Sequence, residues 1–420
     1  MASAVPNGRR RVAVVGAGVV GTSIALALRK RGADVALVDR GEPGHGCSFG
    51  NSGAISPASV APLAMPGVLA SVPGMLLDDE SPLYLPWRYM PHALPWLMRF
   101  VASARPASVA AAAAKLAALH AGALDAHEAM ARELGVPELF LRRGHLHLYP
   151  DAKALAKDAG GWRMREEYGF RFERLDRGGI VALEPLVSPR YTIGMYLADH
   201  ATIVNPFRYV QAMARAYAGA GGRMLRADVS GLRRDGAEWL LRAAGEGESE
   251  RFDDVVVAAG AWSRELLAPL GVHLALETQR GYHLQFEGGH DVVSRTVVLA
   301  DRKVFVTPME DGLRVGGTVE IGGLHAPPDD RRAAVLGRIA RENFRGLDKL
   351  PTRTWMGHRP CMPDSVPVVG AAEGHRGLWI ATGHGHLGLT DSLNTAQRIA
   401  DAMLGAATPR ARTGAELAHA

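Results

Sequence analysis

Cysteine is nearly missing from this chain: Cys47 and Cys361 are the two among 420 residues. So few exclude a disulfide framework and any zinc site built on thiolates, and they fit a reducing compartment. Aromatic residues are also sparse, at 6%. No basic block interleaved with aromatics occurs, so no nucleic acid is expected as a partner, although the net charge is +5 and the pI near 9.3. The first ten residues lack the apolar stretch of a secretory signal. No apolar run reaches the length that crosses a bilayer, so the expected location is cytoplasmic. Hydrophobic residues, at 47% against 22% charged, are those of a soluble globular protein with a large core. The length predicts two domains or one elaborated fold.

The most informative stretch is Arg11 to Asp39. An apolar run (Val12 to Val15) meets glycines at 16, 18 and 21, then a helical segment to Lys30, a stop at Gly32 and a second apolar run, Val35 to Val38. This is a βαβ unit that binds a dinucleotide. Gly16 makes the tight turn, Gly18 lets backbone approach a pyrophosphate, and Gly21 lets helix and strand pack closely. The N-terminus of the helix faces the phosphates. Asp39, 23 residues after Gly16, ends the second strand where a carboxylate accepts hydrogen bonds from ribose hydroxyls.

A glycine-rich loop follows Arg40, in which Ser48, Asn51 and Gly53 offer small polar groups to a ligand. Residues 61–100 are rich in Pro, Met, Leu and Trp; the prolines argue against a long helix, and the apolar content needs a cover, either the rest of the protein or a membrane surface. Ala107 to Leu134 reads as an alanine-rich helix stopped by Gly135. Short β runs then recur at 145–149, 192–197, 282–286, 296–300, 303–308 and 313–320, predicting a mostly antiparallel sheet. Between them lie an amphipathic helix, Asn205 to Gly221, and a fully apolar strand within 252–262. The C-terminal block gives a strand (377–382), a glycine-rich loop (383–388) and a helix. The fold class is therefore α/β, α+β overall: a discontinuous Rossmann-like domain with an inserted antiparallel domain. The expected division is 9–59, 196–268 and 352–405 for the dinucleotide domain, 60–195 and 269–351 for the substrate domain with a helical and Pro-rich part at 60–134, and a disordered tail at 406–420.

Five segments in order carry a resemblance: GAGVVGTSIALALRKRGADVALVDR, CSFGNSGAISP, VVVAAGAWS (255–263), RPCMPDSVPVVG (359–370) and TGHGHLGLT. The chain resembles the FAD-dependent oxidoreductases of the D-amino-acid oxidase and glycine oxidase type, and most of all the bacterial D-amino-acid dehydrogenases. Four separate glycine-rich turns, at 16–21, 50–53, 258–260 and 383–388, also suit extended FAD better than NAD. The resemblance implies non-covalent FAD held by Gly16, Gly18, Val19, Val20, Gly21, Asp39, Arg40, Ser48, Asn51, Ser52, Gly53, Val229, Ala259, Gly260, Gly385, His386, Leu387, Gly388, Leu389 and Thr390. It implies a small amino-acid substrate, hydride transfer from Cα to flavin N5, and electrons passed to a quinone or another acceptor.

The chemistry needs a carboxylate anchor, for which Arg359 is the first candidate because a guanidinium matches a carboxylate with two parallel bonds. Tyr282 is a second donor to that carboxylate. His384 and His386 stand where an imidazole can steady the reduced cofactor or take the amine proton. His283 and His358 read as structural. Two histidines two residues apart do not make a metal site, and none is expected. A D-amino acid is the expected substrate, with D-proline and hydroxy-D-proline as alternatives. A glycine or sarcosine oxidase releasing hydrogen peroxide, and a flavin-bearing subunit of a larger complex, remain open. For residues 61–100 a peripheral contact with the inner face of the membrane is the alternative to cover by the rest of the protein.

Overall fold

Val12, Ala13 and Val14 are fully buried, and β1 (Arg11–Val15) runs through the middle of a sheet with apolar layers on both faces. Gly16 turns the chain at φ +107, a conformation open to glycine, into α1 (Val19–Lys30), and Gly32 at φ +90 returns it to β2 (Asp34–Asp39). The two strands are parallel, with Val12 opposite Val35 and Val15 opposite Val38. The computed structural model describes residues 9–66, 83–243 and 248–406.

In the described residues the sheet runs Arg223–Arg226, β2, β1, Asp254–Val257, Leu378–Thr382 and Val368–Ala371, parallel except for its last pair. On one face α1, the helix Pro206–Gly219 and the helix Gly388–Leu404 close a core of Ile24, Leu28, Tyr209, Met213 and Ile399. On the other lies an antiparallel meander, Val229–Asp235, Glu238–Ala243 and Glu248–Phe252, packing Trp239, Leu241 and Phe252 onto Val255 and Val257.

A second, mixed sheet contains most of the expected short strands: His145–Tyr149, Ile193–Leu197, Thr296–Leu299, Val304–Met309 and Gly312–Gly316. Its pairs are mostly antiparallel, but Thr296–Leu299 lies parallel to His145–Tyr149. The helix Asp330–Asn343 covers it with Leu336 and Ile339. Its spine is Glu277–Glu287, paired along its length with Thr352–Cys361. That pairing corrects the expected division: residues 352–361, assigned from sequence to the dinucleotide domain, belong to the substrate sheet, and Arg359 stands on a strand.

Two helix expectations also change. Ala107 to Leu134 is two helices, Pro106–His120 and Ala123–Glu133, because Gly122 takes φ +70 between them. By length and composition the stretch Pro106–Glu133 passes as a membrane span, with mean hydropathy 1.4 in its best window, contrary to the sequence reading. Its 15- and 11-residue halves reach only about 22 and 16 Å at 1.5 Å per residue, against a hydrocarbon layer of about 30 Å. Both also hydrogen-bond inward, His120 to Asp391 and His127 to Tyr209. Within 61–100, the prolines do not prevent a helix: Met90–Ser103 forms with Pro91 in its first turn and Pro95 inside it. The rest of that expectation, at 67–82, and the expected tail beyond residue 406 lie outside the described residues.

Candidate active site

A cleft of about 510 Å³ opens at the carboxyl ends of β1, β2 and Asp254–Val257. It is lined by Gly16, Gly18, Val19, Val20, Asp39, Arg40, Ser48, Asn51, Val229, Ala259, Gly260, Gly385, Gly388 and Leu389, all expected cofactor residues, and by His384. Cys47, Trp262 and His358 also line it.

Each expected glycine has its own reason. A methyl on Gly16 would stand 2.4 Å from the carbonyl oxygen of Ala258, and one on Gly21 would stand 1.8 Å from that of Gly16. Gly21 therefore serves the close packing of α1 on β1 and does not line the cleft. Beside Gly18 a methyl would meet only Oγ of Ser48, at 3.5 Å, so the cradle there is open for a phosphate. The Ser48 hydroxyl accepts from the N–H of Val19 at 2.9 Å and caps α1. The Asp39 carboxylate accepts from the N–H groups of Ala17 (2.7 Å) and Gly41 (2.8 Å). These bonds orient it toward the cleft and leave a lone pair on each oxygen for a ribose diol. Arg40 lies over the Trp262 ring at 4.5 Å. Trp262 in turn meets His358 edge-on. These features fit FAD: an acid for the ribose, an open glycine cradle, and two helix N-termini in one cleft.

Several expected contacts are placed elsewhere. Gly53, at φ +73, packs against the carbonyl of Ile203, where a methyl would stand at 2.2 Å. Thr390 accepts from the N–H of Ser56 and donates to the carbonyl of Ala54, tying the helix to the loop. Leu387 is buried in the core, and Ser52 does not reach the wall. Tyr282 is corrected as well. Its phenol donates to Glu320 at 2.6 Å and accepts from the N–H of Asp329 at 3.0 Å, inside the core of the substrate sheet. Burial pushes it up to about 12. Glu320 also holds Arg280 at 2.9 Å. Tyr282 is thus committed to a buried network and faces away from the cleft.

The substrate candidates lie on the other face of the same strand pair. The guanidinium of Arg359 rests on Gly281, where a methyl would come within 2.2 Å of Cζ, and donates to the carbonyl of Thr318 at 2.9 Å. It is half-buried and, among the described residues, has no carboxylate partner. His386 is exposed on the loop that crosses from Leu378–Thr382 into the helix Gly388–Leu404. The protein packed around that loop, and then the charge of Arg359, lower it from the ordinary imidazole value, a shift that its exposure to water keeps small. His384 is different: it is buried, bonded to Thr395 Oγ1 at 2.9 Å, and held to about 4 by burial. Both imidazoles are neutral at pH 7.

Sequence reasoning missed the groups that hold the loop 48–53. Arg314, buried in the substrate sheet, donates to the carbonyls of Phe49 (3.2 Å) and Asn51 (2.5 Å) and to Gln285. His283 faces the Gly50 carbonyl at 3.1 Å and stacks on Trp355, whose ring fills the space beside Gly50. The available signal was alternation: Gly281, His283 and Gln285 share one strand face.

The family model for FAD dependent oxidoreductases (DAO) matches residues 11–402. A D-amino-acid oxidase of Bradyrhizobium diazoefficiens is 38% identical over 411 residues, covering 95% of this chain and 96% of that protein. A D-amino acid dehydrogenase of Dechloromonas aromatica is 32% identical over 408 residues, 94% of this chain and 97% of that protein. Among solved structures, glycine oxidase from Geobacillus kaustophilus superposes with a TM-score of 0.73 at 20% identity, over 95% of this chain and 96% of that chain. L-proline dehydrogenase from P.horikoshii gives 0.71 at 17%, over 94% and 92%. At those identities the structural likeness is one of fold.

Proposed function

The chain belongs to the FAD dependent oxidoreductase (DAO) family, and from that premise we propose that it is a dehydrogenase of a small D-amino acid that passes its electrons to a quinone or another carrier. FAD-dependent amino-acid oxidation is common ground with its relatives. The D configuration is supported by the names those relatives carry. One observation carries the reading of the site: a half-buried guanidinium, Arg359, braced by the Thr318 carbonyl and without a carboxylate of its own among the described residues.

When bound, FAD supplies the acceptor for the two electrons that leave the substrate. Arg359 grips the substrate carboxylate through charge-assisted bonds, which fixes the orientation of Cα. The substrate ammonium must lose its charge before the C–H bond breaks, and His386, neutral at pH 7, accepts a hydrogen bond from it at a ring nitrogen and relays the proton to solvent, its lowered basicity keeping the proton from resting on the ring. The loop 48–53, clamped by Arg314, excludes water from that side. Burial raises the Cys47 thiol, so no thiolate stands ready there, which supports a cofactor held without a covalent bond.

Membrane contact is proposed through the helix Met90–Ser103, supported by Trp87, 83% exposed, and by Leu94, Met98 and Val101 beside it. It would place a cytoplasmic enzyme on the inner face of the membrane.

The test is anaerobic bleaching of the purified yellow protein by a panel of D-, L- and secondary cyclic amino acids. Bleaching by D-alanine or D-proline at substrate-dependent rates is expected. A panel that leaves the flavin oxidised throughout defeats the proposal, and peroxide released at the turnover rate in air replaces the dehydrogenase with an oxidase. Arg359→Ala should raise KM at least tenfold, the value of about one charge-assisted pair.

A further inference from the structure

Behind the loop that walls the cofactor cleft, two fully buried ionisable side chains face each other: Nδ1 of His120 lies 2.6 Å from Oδ1 of Asp391. Nε2 of the same ring stands 3.3 Å from the Ser59 carbonyl, which can only accept, so that nitrogen carries a proton. A second proton lies between Nδ1 and Oδ1. Each partner sits at the helix end that favours its charged form: His120 closes the helix Pro106–His120, and Asp391 lies in the first turn of the helix Gly388–Leu404. The pair is therefore an imidazolium against a carboxylate, each charge compensated as burial requires. Oδ2 of Asp391 is buried and has no partner among the described residues, so one oxygen of the carboxylate alone is neutralised directly.

The place of the pair is as informative as its chemistry. Gly388 and Leu389, which open the helix that carries Asp391, line the cleft. At 1.5 Å per residue, Asp391 stands about 4.5 Å along the helix axis from Gly388. Asp39 and Gly18 claim the ribose and phosphate part of the cleft, which leaves the electron-accepting ring to the wall of Pro360, His384 and Gly385, next to Arg359. Burial is the main cause that lowers the His384 imidazole; after it, the Asp391 carboxylate raises that imidazole and the His120 charge lowers it. The fields of both partners therefore reach the wall. The pair is not needed to join the two helices: Asn394 donates to the carbonyls of Leu119 (2.6 Å) and Ala121 (2.9 Å), and Arg398 to that of Ala118 (2.6 Å).

We propose that His120 and Asp391 are positioning residues that set the reduction potential of the bound cofactor. Uptake of two electrons and one proton adds one negative charge to the ring, and the N-terminus of the helix Gly388–Leu404 favours that charge. The Asp391 carboxylate, in the first turn of the same helix, opposes it, and the His120 charge at its side holds the opposition in check. With the two balanced, the potential is high enough to receive electrons from a substrate and low enough to hand them on. The inference rests on the cofactor class and on no choice of substrate or acceptor. A pair that served packing alone would need no charge, since Asn394 and Arg398 already tie the helices by bonds to carbonyls.

The experiment measures the midpoint potential of the holoenzyme anaerobically, by slow reduction with xanthine and xanthine oxidase in equilibrium with a reference dye. Asp391→Asn keeps the shape of the side chain and loses its charge; it should raise the ratio of reduced to oxidised flavin at a fixed potential about tenfold, or about 30 mV for a two-electron couple. His120→Gln keeps the carboxylate and withdraws the charge that checks it, so the potential should move the opposite way. Asn394→Ala loosens the same helix contact without changing a charge and should leave the potential at the wild-type value. Shifts of one sign in Asp391→Asn and His120→Gln, or no shift in either, overturn the proposal. So does a shift in Asn394→Ala equal to that of Asp391→Asn, which would make the effect one of packing. No amino acid enters the measurement, so a failed substrate panel and a failed assignment of this pair are separate results.

Discussion

Replacing Gly281 by alanine puts a methyl group 2.2 Å from Cζ and Nη1 of Arg359 and 2.3 Å from Nη2. The backbone at Gly281 is ordinary extended strand, paired with Gly357, so alanine is tolerated by the chain and a strand glycine is lost to no cost. Only the guanidinium, at the end of a flexible side chain, has to move. The expected change in folding stability is therefore under about 1 kcal/mol. The carboxylate anchor, by contrast, loses its bed, and a displaced charge-assisted pair is worth about 1.5–3 kcal/mol, or roughly 10- to 100-fold in KM. The assay is anaerobic flavin reduction at graded substrate concentration beside a thermal melt. In an Arg359→Ala background the same substitution should add little, because both act on one interaction. A KM equal to wild type in a variant of normal stability would refute the placement of Arg359 as the anchor.

Gly21→Ala puts a methyl 1.8 Å from a backbone carbonyl that cannot swing aside; the purified variant should be colourless or insoluble, and normal FAD content would contradict the packing of α1 on β1. His127, His145 and His384 are all held to about 4 by burial, against about 6.5 when unfolded. The unfolded chain therefore binds more protons between pH 6.5 and 4, so stability is full above pH 6.5 and falls as pH is lowered through that window. Unfolding free energies from urea melts at pH 7 and pH 5 should differ by up to about 2 kcal/mol per histidine. His145→Gln should flatten that slope, and an equal slope would remove His145 from the account.

Arg11 to Asp39 was legible because every signal there is local. The strand, turn, helix and acid are set by steric limits on glycine and by hydrophobic period, and neighbours in sequence are neighbours in space. The helix read over Asn205 to Gly221 is local in the same way and forms as Pro206–Gly219, to which the structure adds that the Asn205 side chain caps it by accepting from the N–H of Arg208. Tyr282 and Arg359 show where local reading stops. Both are polar groups of one strand pair, and the pleat sends them to opposite faces: Tyr282 to a buried glutamate, Arg359 onto a glycine beside the cleft. Which face meets the cofactor depends on the register of Glu277–Glu287 with Thr352–Cys361, segments some seventy residues apart by position. The sequence alone determined the cofactor class and the glycine turns that hold it. Tertiary structure decided that Arg359 comes to rest on Gly281 with no carboxylate partner among the described residues, and which loop Arg314 clamps. It also brought His120 against Asp391, because such pairings are set by packing between distant segments and leave no periodic trace in the chain.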